Sequence, residues 1–328
     1  MKNKLKIVEL NSTPMQHPLT NKESSSLFRQ KEKEAKFERL WLLNPEQFNP
    51  LRNCMQKERL NRSMTLLTKN KEIKNQQIID IGCGIGVFTR LMRDMGGEIE
   101  AIDIAENALK ILRKEDMKDI KARQAGMPST NLSDHAYDVV VCMEVIAEVS
   151  SQDYRLFFAE LARLAKPDGL VLCSSPIDIR SLGGMQRLRE LAQTEFDIID
   201  SSASYHALHI YMKDFLEIPQ KYVKGSKDPF YRNESLAHLK GTRNWWFWLQ
   251  TTFCFGWIWL LLEILSRFPL NLLKGNHQLL LWLENVSEFI WGQNGISHYI
   301  FLARRRPLER INQNEIPLEK LRKREVWE

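Results

Sequence analysis

The feature that most constrains this chain is one short stretch, Ile79-Asp80-Ile81-Gly82-Cys83-Gly84-Ile85-Gly86. The apolar run at residues 78–81 leads directly into three alternating glycines, and residues 87–95 continue with helical spacing. Glycine allows a tight strand-to-helix turn and lets a ligand approach the backbone with no Cβ in the way. A bare turn needs neither so many glycines nor an acid just upstream. The pattern predicts a pocket for a nucleoside-containing cofactor at the end of a buried strand.

Other strand and helix patterns follow in alternation. Residues 99–103 predict a strand, 106–114 a helix, and 138–142 a valine-rich strand. An amphipathic helix is expected over 154–165, then a Lys166-Pro167-Asp168-Gly169 turn and a strand at 170–174. Such alternation points to an α/β fold, a Rossmann-like sheet of parallel strands covered by helices on both faces. Ahead of it, residues 31–68 carry helical patterning broken near Asn44-Pro45 and Asn49-Pro50. Residues 1–30 are polar and read as a flexible arm, and the first forty residues hold no apolar stretch of the kind a secretion signal requires. Residues 31–180 form the expected core. A mostly helical insertion or cap is expected over 181–292. Residues 293–306, with Ile296–Ala303 at their centre, read as the last strand of the same sheet, and 307–328 as a charged tail.

Composition narrows the function classes. A chain of 328 residues with 43% hydrophobic and 27% charged residues is globular, with room for one large domain carrying an insertion. Five scattered cysteines with no C-x-x-C pair argue against a zinc ribbon and for a reducing compartment, the cytoplasm. The net charge of +6 is mild and the signs are mixed, so no nucleic-acid partner is expected.

Spacing also separates the cofactors. A dinucleotide fingerprint, G-x-G-x-x-G, would put its third glycine where Val87 stands. The chain has G-x-G-x-G with Asp80 two residues before it, which favours S-adenosylmethionine (SAM). SAM has no pyrophosphate, and its ammonium suits a nearby carboxylate. Asp103 ends the second strand, where a carboxylate can accept both ribose hydroxyls. NAD enzymes place an acid similarly, so an NAD-linked oxidoreductase remains the rival reading.

The set Asp80 to Gly86, Asp103, Tyr137–Val149 and Lys166–Gly169 resembles the class I SAM-dependent methyltransferases over about residues 35–180 plus the final strand. Within them, Lys36–Leu40 through Phe48–Leu51, and Cys142-Met143-Glu144-Val145-Ile146-Ala147-Glu148-Val149, are most similar to the ubiquinone-biosynthesis O-methyltransferases, in the methyltransferase type 11 group. The resemblance implies a Rossmann-like class I methyltransferase sheet and SAM as cofactor. It implies a cofactor set of Asp80, Gly82, Cys83, Gly84, Gly86, Asp103, Ile104, Met127 and Met143. That family's SAM-binding arginine falls at Arg62 by distance from the first glycine, with Arg59 the alternative. Cys83 reads as a small filler in the turn. Backbone groups near Gln124–Met127 stand where related enzymes carry an adenine-side acid.

Two departures matter. The family pattern C-M-E-x-L-E-H-V supplies metal ligands, but here Ala147 and Glu148 replace its second acid and its histidine. No metal is expected; Glu144 and Glu148, four apart and on one face if helical, are the weak candidates. No catalytic base is identified, and His206 and His209, beyond the fifth strand, are weak candidates for one.

Trp245–Leu262 is 18 residues without a charge, and seven of the nine tryptophans lie between Trp245 and Trp291. A single crossing would put the last strand on the wrong side of a bilayer. The stretch 245–265 therefore reads as peripheral membrane contact, with a buried lid or dimer helix as the alternative. The whole predicts a SAM-dependent methyltransferase acting on a small, hydrophobic or lipid-like acceptor, with oxygen favoured. A non-catalytic membrane-associated module of the same fold is the other alternative.

Overall fold

The computed structural model describes residues 21–114, 120–180, 183–238, 242–252 and 256–306. Its strands are β1 (Gln77–Ile81), β2 (Glu98–Asp103), β3 (Lys121–Gln124), β4 (Tyr137–Met143), β5 (Ala165–Pro176), β6 (Phe196–Ser204) and β7 (His298–Arg305). They form one sheet in the order β3-β2-β1-β4-β5-β7-β6. The first five strands pair in parallel, and β7 runs antiparallel between β5 and β6. The expected α/β sheet, with a helical insertion before its last strand, is what the chain forms.

Parallel strands covered on both faces carry unbroken apolar runs, and β4 shows why. Val139, Val140, Val141 and Cys142 are all fully buried. Successive side chains point to opposite faces. Ile79, Ile81 and Val140 therefore join Phe157, Phe158 and Leu161 in one core, while Ile78 and Val139 join Leu67 and Met92 in the other. The helices α3 (Val87–Asp94), α4 (Glu106–Lys114) and α5 (Tyr154–Leu164) lie close to their expected bounds. The expected turn at Lys166–Gly169 lies inside β5, where the register with β4 shifts between Tyr137 and Val139.

The structure departs from the sequence reading at three places. A helix, α1 (Asn21–Leu43), occupies residues 21–30 of the stretch read as a flexible arm. It is tied to the core through Arg29, whose guanidinium meets the Asp153 carboxylate at 2.6 Å. The rest of that arm, residues 1–20, and the expected tail at 307–328 lie outside the described residues. Strand β6 interrupts the stretch read as mostly helical from 181 onward. It is half-exposed and mixes Asp197, Asp200 and serines with its apolar residues, which weakened its signal. Strand β3 is a short, polar edge strand that gives no apolar run to read.

A short helix, α6 (Gly184–Ala192), precedes β6, and the insertion proper lies between β6 and β7. It contains α7 (Ala207–Leu216), α8 (Ile218–Lys227), α9 (Pro229–His238), α10 (Thr242–Thr252), α11 (Gly256–Gly275) and α12 (His277–Trp291). A buried ion pair fastens it to the core. Glu284 of α12 takes a two-pronged contact from Arg62 of α2 (Cys54–Asn70), at 2.8 and 2.6 Å. Arg62 also donates to Glu58 at 2.8 Å and to the Ala203 carbonyl of β6 at 3.0 Å, and the Tyr205 N–H donates to Glu284 at 3.0 Å. One carboxylate thus joins α12, α2 and the end of β6.

Removing one member of such a pair strands the other in a largely buried place, which costs about 3–5 kcal/mol. Glu284→Ala should therefore lose stability on that scale in urea unfolding, and Glu284→Gln clearly less. A loss below about 1 kcal/mol for the alanine variant would show that the pair does not hold the insertion in place.

Candidate cofactor site

The carboxyl ends of β1, β2 and β4 meet around one cavity of about 780 Å³. That is the size and position at which open α/β sheets bind small ligands. Gly82, Gly84 and Gly86 all have positive φ, at 72°, 53° and 76°. A Cβ on Gly82 would drive into the Val145 side chain, and one on Gly84 would lie 3.1 Å from Trp41. The left-handed backbone accounts for the tight turn the sequence suggested, and the close neighbours of Gly82 and Gly84 are side chains of the chain itself.

Two buried acids stand behind this turn. Asp103 accepts from the Gly84 N–H and the Ala105 N–H, each at 2.9 Å. Asp80 accepts from the Thr89 hydroxyl at 2.5 Å. Burial pushes both carboxyls up to about 6, against the pull of these donors. The same burial pushes the Cys83 thiol up, so it stays protonated, as a filler should.

Helix α1 roofs the cavity with Phe37 and Trp41, the latter only 5% exposed. Its Glu38 carboxylate accepts from the Glu106 and Asn107 N–H groups, at 2.6 and 3.1 Å, at the start of α4. Gln30 donates to the Gly126 carbonyl at 2.9 Å. The sequence reading assigned α1 no part in the site. Phe37 and Trp41, four apart on one helix face, are the signal that could have revealed it.

Of the expected cofactor residues, Asp80, Gly82, Cys83 and Gly84 line the cavity from β1 and its turn. Asp103 and Ile104 line it from the end of β2, and Met127 and Met143 from beyond β3 and from β4. Gly86 is not in the wall; it caps the N-terminus of α3. Ala125 and Gly126 also line it, beside Met127, in the backbone stretch expected on the adenine side.

Arg62 is corrected to Arg59. Both lie on α2 one turn apart, and what separates them is the partners each side chain finds. Arg62 is held by Glu284 and Glu58, away from the cavity. Arg59 is in the cavity wall, 3.4 Å from Glu144, and its buried Nε has no partner among the described residues.

The histidine candidates also fall outside the cavity wall. His206 is fully buried, and neither ring nitrogen has a hydrogen-bond partner among the described residues. Burial, with Arg59 nearby, pushes its pKa down to about 3. His209 Nε2 lies 3.2 Å from the Leu273 carbonyl. His209 thereby ties α7 to α11. The sequence reading missed His298 of β7, which hydrogen-bonds the Glu144 carboxylate.

Glu144 and Glu148 do not share a helix face. Glu144 has left-handed backbone at the end of β4, before a 3-10 turn at Val145–Glu148. It is engaged by His298, by Arg59, and by the Ser174 hydroxyl at 2.9 Å, whereas Glu148 pairs with Lys36 at 2.8 Å. Each carboxylate already has cationic or hydrogen-bonding partners of its own.

These residues suit SAM. The wall offers a carboxylate at Asp103 able to accept from ribose hydroxyls, a second acid at Asp80, apolar walls at Ile104 and Met127, and an unfilled guanidinium N–H at Arg59.

Residues 79–173 match the family described as a methyltransferase domain. That stretch of the chain is a methyltransferase domain. The ubiquinone biosynthesis O-methyltransferase of Bordetella avium is 31% identical over 107 residues, which cover 31% of this chain and 44% of that protein. The protein of the same name from Pelagibacter ubique is 26% identical over 131 residues, 39% of this chain and 53% of its own. The chain thus spans about half the length of the curated relatives it matches. Among solved structures, the N-methyltransferase NodS of Bradyrhizobium japonicum with S-adenosyl-L-homocysteine is 17% identical, with a TM-score of 0.46 over 52% of this chain and 89% of its own. A putative sarcosine dimethylglycine methyltransferase of Galdieria sulphuraria is 15% identical, with a TM-score of 0.44 over 76% of this chain and 86% of its own.

The carboxylates give this methyltransferase domain a pH dependence. A ribose hydroxyl would donate to the ionised Asp103, and that form is depleted as the pH falls through about 6. Affinity for S-adenosylhomocysteine should be level above pH 7 and fall between pH 7 and 5. Asp103→Asn should bind ~10–100-fold more weakly. Its pH slope should be shallower, the remainder coming from Asp80. An unchanged slope in the variant would place the ligand elsewhere.

Proposed function

We propose that this protein transfers a methyl group from SAM to a small, hydrophobic acceptor, with oxygen as the receiving atom. The observation that carries the proposal is the convergence of the glycine cradle, Asp103 and Arg59 on one cavity at the strand ends of the methyltransferase domain. The relatives named as ubiquinone biosynthesis O-methyltransferases support oxygen and a small acceptor. The odd, scattered cysteines support work in the cytoplasm. We further propose that the enzyme touches a membrane face through residues 245–265.

Bound SAM supplies a methyl group already activated on a sulfonium. The chain's part is then to bind, orient and keep out water, and positioning accounts for most of the rate. Asp103 holds the ribose, Arg59 takes the carboxylate of the amino-acid end, and Asp80 offers its acid to the ammonium. Phe37 and Trp41 of α1 close the site from above. Glu144 stands in the same wall. Burial works to raise its pKa, but the hydrogen bond with His298, with Arg59 beside it, brings it to about 2. A carboxylate so acidic keeps no proton at neutral pH. It accepts a hydrogen bond from an acceptor hydroxyl and fixes that hydroxyl's direction.

Incubation with SAM radiolabelled in the methyl group and a cell extract tests the reaction. Label should move to a solvent-extractable small molecule, and Arg59→Gln should lower the transfer by ~10–100-fold while Lys69→Gln, an exposed change on the same helix, leaves it unchanged. Chelation by EDTA should leave the transfer largely intact, because Glu144 and Glu148 have separate partners. Inhibition rescued by added magnesium would contradict that, and the absence of transfer by a protein that still binds SAM would remove the enzymatic reading.

A further inference from the structure

Helix α11 has two apolar faces. Its inner face buries Ser266, Leu270 and Leu273, and Trp259 stacks on Tyr222 of α8 at 4.1 Å. Trp259 also donates to Gln250 of α10 at 2.9 Å, which joins the two helices. A helix seated this way normally turns charged residues to solvent. Here the outer face carries Trp257, Leu261, Ile264, Leu265, Phe268 and Leu272, at 67%, 51%, 53%, 62%, 77% and 46% exposure. Their spacing places them on a single stripe, about 22 Å long at the rise of an α-helix. On α10, Trp245, Trp246 and Trp248 are exposed as well, at 61%, 51% and 42%.

We propose that this face docks on the surface of an anionic lipid bilayer, with α11 lying in the interface. This rests on the membrane contact proposed above for residues 245–265, for which it names the lipid surface, and it does not depend on the methyl-transfer reading. Among the described residues no helix is long and apolar enough to cross a membrane. A helix with a wide apolar face and a charged flank instead lies in the plane of the interface. The charges of α11 do sit on the flank. Arg267 pairs with Glu263 at 2.9 Å, and Lys274 with Glu217 at 2.8 Å, so neither interrupts the stripe. Tryptophan is enriched where acyl chains meet headgroups. The chain's net charge of +6, with Arg243 exposed beside the tryptophans of α10, complements anionic headgroups. A second copy of the chain would gain nothing from that positive charge, which repels its own kind.

The experiment is flotation of the full chain with vesicles of phosphatidylcholine alone and of phosphatidylcholine mixed equally with phosphatidylglycerol. The protein should float with the mixed vesicles and less with the neutral ones. A triple variant, Trp257→Ser with Leu261→Ser and Phe268→Ser, should lower vesicle binding at least ~10-fold. The three side chains are exposed, so its circular dichroism and thermal midpoint should match the wild type. If that variant does not fold, quenching of wild-type tryptophan fluorescence by lipids brominated near the headgroup gives the same answer, and quenching is expected. Protein left at the bottom of the gradient with both vesicle types overturns the proposal. So does absence of quenching, or a folded triple variant that floats like the wild type. A lipid-free dimer that the triple variant converts to monomer, with no vesicle binding, would assign the face to a second copy instead.

Discussion

The site depends on one buried carboxylate. Asp103 ends β2 and takes N–H donors from two directions, Gly84 in the turn after β1 and Ala105 in its own turn. A carboxylate in that place is expensive to bury without such donors. The arrangement therefore fixes the glycine turn against the next strand and leaves a negative charge facing the cavity. The turn needs glycine at Gly82 and Gly84 because φ is positive there and because a side chain at either would meet Val145 or Trp41. The cavity, its roof and its polarity are organised around this joint between two adjacent strands.

The parts of the fold that the sequence made legible are those where local pattern and tertiary role coincide. The β1 turn, the buried run of β4 and the last strand β7 could all be read, because a strand covered on both faces must be apolar throughout. Strands β3 and β6 could not be read so, because edge strands with one exposed side lack that signal. The first part of helix α1, residues 21–30, was obscured for another reason. Its residues are polar by composition and gain their order from a long-range tie, Arg29 to Asp153.

The site shows the same division. Asp80, Asp103 and the first two glycines were found because their spacing is local. Arg59 and Arg62 could not be told apart by distance from the glycines. What separates them is Glu284, 222 residues after Arg62, which claims one guanidinium and leaves the other to the cavity. His206 and His209 were plausible by position along the chain, yet folding buries them beneath the insertion. His298 and Glu144 are 154 residues apart, and only the antiparallel insertion of β7 beside β5 brings them together. Where the family pattern has an acid and a histidine in sequence, this chain has Ala147 and Glu148. A histidine reaches Glu144 from another strand instead.

Calorimetric titration of the full chain with S-adenosylhomocysteine and, separately, with NAD tests the central claim most directly. One molecule of S-adenosylhomocysteine should bind per chain, with Arg59→Gln weakening it and Glu284→Gln leaving the affinity near that of the wild type. NAD should give no heat of binding. Binding of NAD without S-adenosylhomocysteine would contradict the account, because the same glycines and Asp103 would then serve a dinucleotide.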